Sequence, residues 1–187
     1  YQEAGAAALS ILTEKNFFNG SNNDILNARK ITELPILRKD FIIDEFQVIE
    51  SKSIGADGIL LIAACLDKKE IIKLSELAKS LGLEVLIEIH DLSELDDCCI
   101  DSVDIIGVNN RNLKTFNVDI ETSVRLSTKI PSNYAKISES GISNSNDIIT
   151  LKNFGYDGFL IGENFMKSVD PGSCLLYTSD AADDLTR

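Results

Sequence analysis

The chain has 187 residues, 44% hydrophobic and 26% charged, the composition of a folded domain rather than of a disordered segment. A net charge of −12 leaves no basic surface for a nucleic-acid partner, which needs clustered Lys and Arg to displace counterions. No apolar run approaches the ~20 residues of a membrane helix, and Tyr1-Gln2-Glu3-Ala4-Gly5 is not a basic segment leading into an apolar one, so neither a membrane span nor a secretory signal is expected.

The first residues read as a helix end closed by Gly5, and Ala6–Thr13 as a strand buried on both faces. The loop Glu14–Ser21 carries two consecutive aromatics, Phe17 and Phe18, and a helix is expected from about Asp24 to Ile31. Pro35-Ile36-Leu37-Arg38-Lys39-Asp40-Phe41-Ile42 then reads as a buried strand that delivers Lys39 to the rim of a pocket. Asp44 with Gln47 has the spacing of a capping box for a helix to Ile54, closed by Gly55.

Gly58–Ala63 is wholly apolar and reads as the next strand. Asp67 with Glu70 starts a helix whose Ile71, Leu74, Ala78 and Leu81 share one face, and Gly82 closes it. Val85–Ile89 is a strand with a carboxylate, Glu88, embedded near its end, and Asp91 with Glu94 opens a short helix through Cys98. Val103–Val108 leads into Asn109-Asn110-Arg111-Asn112, and a helix is expected from about Asp119 to Lys129. Tyr134–Ser138 runs into Glu139-Ser140-Gly141, and a helix from about Asn144 to Phe154 precedes the strand Gly158–Ile161, which ends at Gly162.

About seven strands separated by helices, repeating every 20 to 30 residues, point to parallel strands covered by crossover helices. No G-x-G-x-x-G follows the first strand, and polar residues close many strands rather than one switch point. Both features favour a (β/α)8 TIM barrel over an open dinucleotide-binding sheet. Such barrels typically need ~250 residues, so this α/β chain is expected to be an incomplete barrel over residues 1–170, lacking its first strand and helix. Residues 171–187 show no helical stripe and resemble translated adapter sequence; they are expected to be a non-native or disordered tail in place of the last helix.

Several strand-end residues carry chemistry if the barrel reading holds. A solvated lysine is the ordinary reading of Lys39, but a lysine in a partly desolvated barrel mouth becomes a usable proton donor. Glu88, flanked by aliphatics, is expected to point into the barrel, either as an acid/base or in a structural ion pair. Turn chemistry accounts for some of Asn109–Asn112, although four such residues exceed what a turn needs. Small residues at Ser140-Gly141 and Gly162 allow a phosphate to approach the backbone after the last two strands. Cys98 and Cys99 lack a basic neighbour and read as helix packing, the four cysteines show no disulfide spacing, and the single His90 cannot build a multi-histidine metal site. Reduced thiols fit a cytoplasmic protein.

Leu9–Glu14 with Phe17–Ser21, Pro35–Ile42, Gly107–Leu113, Ile137–Ile142 and Phe159–Gly162, in this order and spacing, resemble the indole-3-glycerol phosphate synthases of tryptophan biosynthesis. The resemblance runs from about Gln2 to Met166. It implies a carboxy-lyase without cofactor or metal that closes, decarboxylates and dehydrates 1-(2-carboxyphenylamino)-1-deoxyribulose 5-phosphate to indole-3-glycerol phosphate.

By resemblance Lys39 is the cationic acid beside the substrate carboxylate and Glu88 the acid/base glutamate. Asn109 and Glu139 hold substrate hydroxyls, with Arg111 a substrate-binding residue in the same motif as Asn109; Ser140, Gly141, Gly162 and the backbone at Glu163 bind phosphate; Phe18, Phe41 and Leu60 contact the aromatic ring. The family's first-strand lysine has no counterpart in this chain, so the fragment itself is expected to turn over little or nothing. Two other readings are a phosphoribosylanthranilate isomerase-like barrel, which needs a Cys and Asp acid/base pair for which Cys65 is the one candidate cysteine, and a non-catalytic fragment that binds anthranilate-like or phosphate ligands. The partner in each case is a small phosphorylated molecule, and the sequence is silent on oligomeric state.

Overall fold

The structure, a computed structural model, describes residues 1–184. It contains seven strands hydrogen-bonded in chain order: β1 (Leu9–Leu12), β2 (Ile36–Lys39), β3 (Gly58–Ile62), β4 (Glu84–Ile89), β5 (Ile105–Asn109), β6 (Ala135–Glu139) and β7 (Gly158–Leu160). Helices follow them: α1 (Asn22–Arg29), α2 (Glu45–Ser53), α3 (Lys68–Ser80), α4 (Leu92–Cys98), α5 (Glu121–Ser127), α6 (Ser145–Asn153) and α7 (Glu163–Lys167), then α8 (Pro171–Asp184). Parallel strands in chain order joined by crossover helices are the topology of a (β/α)8 barrel, with seven of its eight strands present. The chain divides into two compact units, one of Ala7–Ile89 with Ser93–Ile106 and one of Tyr1–Ala6, His90–Leu92 and the residues from Gly107 on.

In the first unit the helix signals in the sequence act as capping predicts. Asp44 and Gln47 close a reciprocal capping box on α2, and Asp67 and Glu70 do the same on α3. Ile71, Leu74 and Ala78 of α3 are buried, as their spacing requires, while all five residues of β3 are buried and β4 is buried from Val85 onward. Ile25, Ile36, Ile54 and Ala56 pack into one apolar cluster, joined by Leu9, Ile11 and Ala28, each large aliphatic contributing about 1.5–3 kcal/mol of burial.

The first strand departs from expectation. Instead of being buried on both faces, β1 alternates between half-buried and exposed residues, and Leu12 is exposed. It stands at the end of the strand order and pairs with β2, the unpaired edge that an incomplete barrel implies.

The segment after α7 is a second correction. Pro171–Asp184 is helical rather than an irregular tail; residues 185–187 lie outside the described residues. Asp170 accepts hydrogen bonds from Ser173 N at 3.1 Å and Ser173 Oγ at 2.6 Å, Pro171 supplies a fixed φ at the first turn, and the helix packs against α6 and α7. Local capping and tertiary contact therefore fold a stretch that has no apolar stripe.

A motif recurs where strands begin. Asp57, Asp104 and Asp157 each donate their backbone N–H to the carbonyl of a residue on the preceding strand, Ile36, Val85 and Lys136, at 2.9, 3.1 and 2.8 Å. In each case a carboxylate oxygen of the same aspartate accepts that residue's N–H at 2.8 Å. One aspartate thus satisfies both backbone groups of one neighbour and locks the strand register at its start. Arg29 adds a bond to Asp57 at 2.5 Å, and Lys79 reaches Asp104 at 2.7 and 2.8 Å.

Burial works to raise the Asp104 carboxyl, but the Lys79 ammonium and the Val85 N–H outweigh it and hold the group below its ordinary value. A carboxyl lowered on folding stabilises above its unfolded value near ~3.9 and loses that stabilisation as pH falls through the folded value. Asp104→Asn is expected to cost about 1–2 kcal/mol at pH 7 and progressively less in acid. Urea unfolding of both proteins at pH 7 and pH 3 checks this, the difference between them shrinking at the lower pH.

Candidate active site

In the first unit, Lys39 and Glu88 lie at the C-terminal ends of β2 and β4. Lys39 Nζ donates to Glu88 Oε2 at 3.2 Å, and the Glu88 side chain is 3% exposed. Glu88 is buried, as its aliphatic flanks imply, and its contact with Lys39 is an ion pair. A lysine beside a buried carboxylate can pass a proton to a substrate held between or above them.

Strand alternation sends the neighbouring Arg38 to the opposite face, toward α2. Its guanidinium, 4% exposed, donates to Thr13 Oγ1 at 2.9 Å, Gln47 O at 3.1 Å, Ser51 Oγ at 3.2 Å, Asp40 Oδ2 at 3.2 Å and Glu50 Oε2 at 2.8 Å. Asp40 Oδ2 also accepts from Thr13 Oγ1 at 2.5 Å, and Asp40 Oδ1 from Phe41 N at 2.8 Å. The residues before and after Lys39 are thus fixed by a buried ionic network. The sequence reading passed over Arg38; a charged residue inside an apolar run was the signal.

Around β1 the loop carrying the aromatics is organised by Glu14, whose carboxylate accepts N–H bonds from Asn16, Phe17 and Phe18. Gly20 closes this loop against the strand end, because a Cβ there would sit 2.7 Å from the Leu12 carbonyl carbon and 2.9 Å from Thr13 N. Phe18 stacks on Phe41 at 6.4 Å between ring centroids, and Phe17, 80% exposed, meets Phe41 edge-on at 6.3 Å. Phe17 belongs to this aromatic group although sequence reasoning singled out Phe18 and Phe41. Leu60, expected as a ring contact, is fully buried in β3.

Cys65 lies beyond β3 and is exposed. Burial of its sulfur and the nearby Glu88 and Glu94 carboxylates push its thiol up from the ordinary value, which opposes thiolate chemistry.

The second unit sorts the asparagine run by role. Asn109 Oδ1 accepts from Arg111 N at 2.9 Å, Asn112 Oδ1 accepts from Lys114 N and Thr115 N, and all three bonds are turn chemistry. Arg111 reaches out to Glu163 at 2.8 Å, and Glu163 also holds Lys167 at 2.7 Å; these cations hold the Glu163 carboxyl below its usual range. Asn110, which sequence reasoning did not single out from its neighbours, is 2% exposed and bonded on every side.

At the end of β6, Glu139 is buried and Ser140 and Gly141 both take left-handed backbone, φ 65° and 76°. Gly162 caps α7 and has open space where a Cβ would be. A polar cleft of about 400 Å³ is lined by His90, Asp91, Asn109, Thr122 and Arg125 among others. Of these only Asn109 is a site residue by the sequence; Thr122 and Arg125 extend from α5 and carry no strand-end signal, while His90 and Asp91 directly follow β4. Among the described residues no three His, Cys, Asp or Glu side chains gather into a metal site, and no helix is long and apolar enough to cross a membrane.

The family described as Indole-3-glycerol phosphate synthase matches residues 1–175. The chain belongs to this family. It is 52% identical over 176 residues to the indole-3-glycerol phosphate synthase of Bacteroides thetaiotaomicron, covering 94% of this chain and 67% of that one. It is 50% identical to the synthase of Thermoanaerobacter sp. (strain X514), covering 91% and 65%, and 50% identical to that of Campylobacter fetus, covering 89% and 65%. It thus spans about two thirds of the length of these synthases.

Among solved structures, 3-hexulose-6-phosphate synthase from Salmonella typhimurium superposes with a TM-score of 0.78 at 17% identity, covering 94% of this chain and 86% of the other, a likeness of fold. In this member of the indole-3-glycerol phosphate synthase family the strand-end motifs of the sequence therefore sit on the barrel scaffold they imply.

Two constraints act on Gly141: its φ of 76°, and the Val118 side chain, into which a Cβ would run. Gly141→Ala is expected to lower stability by about 2 kcal/mol or more, from left-handed strain plus overpacking. Adding Val118→Ala is expected to recover the packing part and leave the ~1 kcal/mol of backbone strain. A double-mutant cycle by chemical denaturation reads the coupling.

Proposed function

We propose that this chain supplies the reaction centre of an indole-3-glycerol phosphate synthase, acting on 1-(2-carboxyphenylamino)-1-deoxyribulose 5-phosphate. The observation that carries the reading is the Lys39–Glu88 pair at 3.2 Å, two proton-transfer groups on strand ends in a chain of this family.

Ring closure needs a proton on the ribulose carbonyl oxygen while the aromatic carbon bearing the carboxylate attacks the carbonyl carbon. Lys39 donates that proton, and its charge also favours the substrate carboxylate nearby. Departure of that carboxylate as carbon dioxide returns the bonding pair to the ring and restores aromaticity. The hydroxyl formed in the first step then leaves as water, which requires protonation of its oxygen and removal of a proton from the adjoining carbon. Glu88, exchanging protons with Lys39 across their hydrogen bond, serves these transfers. Phe18 and Phe41, with Phe17 beside them, offer aromatic faces for the anthranilate ring. Glu139, Asn109 and Arg111 orient the hydroxyls of the sugar-derived chain. The phosphate lies on the backbone at Ser140, Gly141, Gly162 and Glu163, where left-handed backbone and the open space at Gly162 support a close approach.

An isomerase-like use of the barrel that draws on Cys65 as a thiolate base is opposed by burial and the nearby Glu88 and Glu94 carboxylates, which push that thiol up.

In the full-length protein, Lys39→Ala and Glu88→Gln are each expected to lower turnover by about 10²-fold or more, the scale of a lost general acid or base. Steady-state rates and circular dichroism check this together. Unfolding of both variants, or turnover within a few-fold of the parent, would sink the assignment.

A further inference from the structure

We propose that Asn110 is a positioning residue that shapes the phosphate cradle by holding two successive carbonyls, those of Glu139 and Ser140, to one side. The inference rests on the phosphate reading just given and assigns to a buried amide a role in it.

Asn110 uses its backbone and its side chain on the same turn. Its N–H donates to Glu139 O at 2.9 Å, and its Nδ2 donates to Ser140 O at 3.0 Å. A trans peptide sets C=O and N–H in opposite directions. With the carbonyls of residues 139 and 140 both drawn to Asn110, the N–H groups of Ser140 and Gly141, which belong to those same peptides, both face away from it. Two successive N–H groups turned to one side in left-handed backbone form the concave nest that favours an anion. Serine occupies this conformation at a cost, so something must hold it there.

The remaining bonds of Asn110 make it a rigid strut. Nδ2 also donates to Ser138 Oγ at 3.0 Å, the Ser138 and Ser123 hydroxyls lie 2.7 Å apart, and Asn110 Oδ1 accepts from Ser123 Oγ at 2.8 Å and Ser123 N at 3.1 Å. Amide, Ser138 and Ser123 close a ring of hydrogen bonds in which both donors and both acceptor positions of the amide are used. Only an amide fits: aspartate could satisfy both serines, whose hydroxyls can turn to donate, but not the Ser140 carbonyl. Asn110→Asp therefore removes one arm selectively.

The test measures binding of indole-3-glycerol phosphate and of dephosphorylated indole-3-glycerol to the full-length protein and to its Asn110→Asp and Asn110→Ser variants. Asn110→Ser is neutral and controls for repulsion between the new carboxylate and the ligand. Both variants are expected to lose about tenfold in affinity for the phosphorylated ligand, the scale of a strong hydrogen bond to a charged group, and to bind the dephosphorylated one within twofold of the parent. Equal losses for both ligands, an unchanged preference, or loss of the folded state in both variants overturns the role. No preference for the phosphorylated ligand in the unsubstituted protein overturns the phosphate reading itself, and this role with it.

Discussion

A parallel strand sends successive side chains to opposite faces, and at the end of β2 that alternation separates two cations of opposite use. Arg38 turns toward α2, where a planar guanidinium with five donors meets the five acceptors waiting for it. Lys39 turns the other way and meets Glu88 with a single point charge on a flexible stem. Exchanging the two residue types would fail on both faces: lysine has too few donors for the network, and arginine does not give up a proton. The chemistry at Lys39 depends on this division, because the network fixes the backbone from which the lysine extends.

The same division runs along the strands. Their starts are held by aspartates that grip both backbone groups of a neighbour, and their ends carry the groups assigned to substrate. In β/α barrels the N-terminal strand face is where stability is concentrated and the C-terminal face is where loops build the site. Gly55-Ala56-Asp57-Gly58 and Gly155-Tyr156-Asp157-Gly158 show the device twice with identical spacing, one in each unit. A carboxylate at these positions is a structural part, and its exposure at Asp57 and Asp157 sets it apart from the buried Glu88 and Glu139.

The asparagine run after β5 shows why residue type is not role. Asn109, Asn110 and Asn112 have the same side chain and lie within four positions. Asn112 folds its own turn, Asn109 supports the N–H of Arg111, and Asn110 is drawn inside to join β5, α5 and β6. Nothing in their shared chemistry separates them; what does is which partners the chain path brings to each.

Capping boxes, the aliphatic periodicity of α3 and the apolar runs of β3 and β4 made the order of elements legible from sequence, since these are local effects of side-chain geometry on the adjacent backbone. The strand-end position of Lys39, Glu88, Glu139, Ser140 and Gly162 was legible for the same reason, and their ordered motifs sufficed to name the family. The helix at Pro171–Asp184, the Arg38 network and the separate task of Asn110 were not. Each depends on a partner brought from 12 or more positions away, or, for α8, on what the folded neighbours cover. Local periodicity determines what an element is; which residues are satisfied, buried or left to meet a substrate is decided by the contacts that only the folded chain brings together.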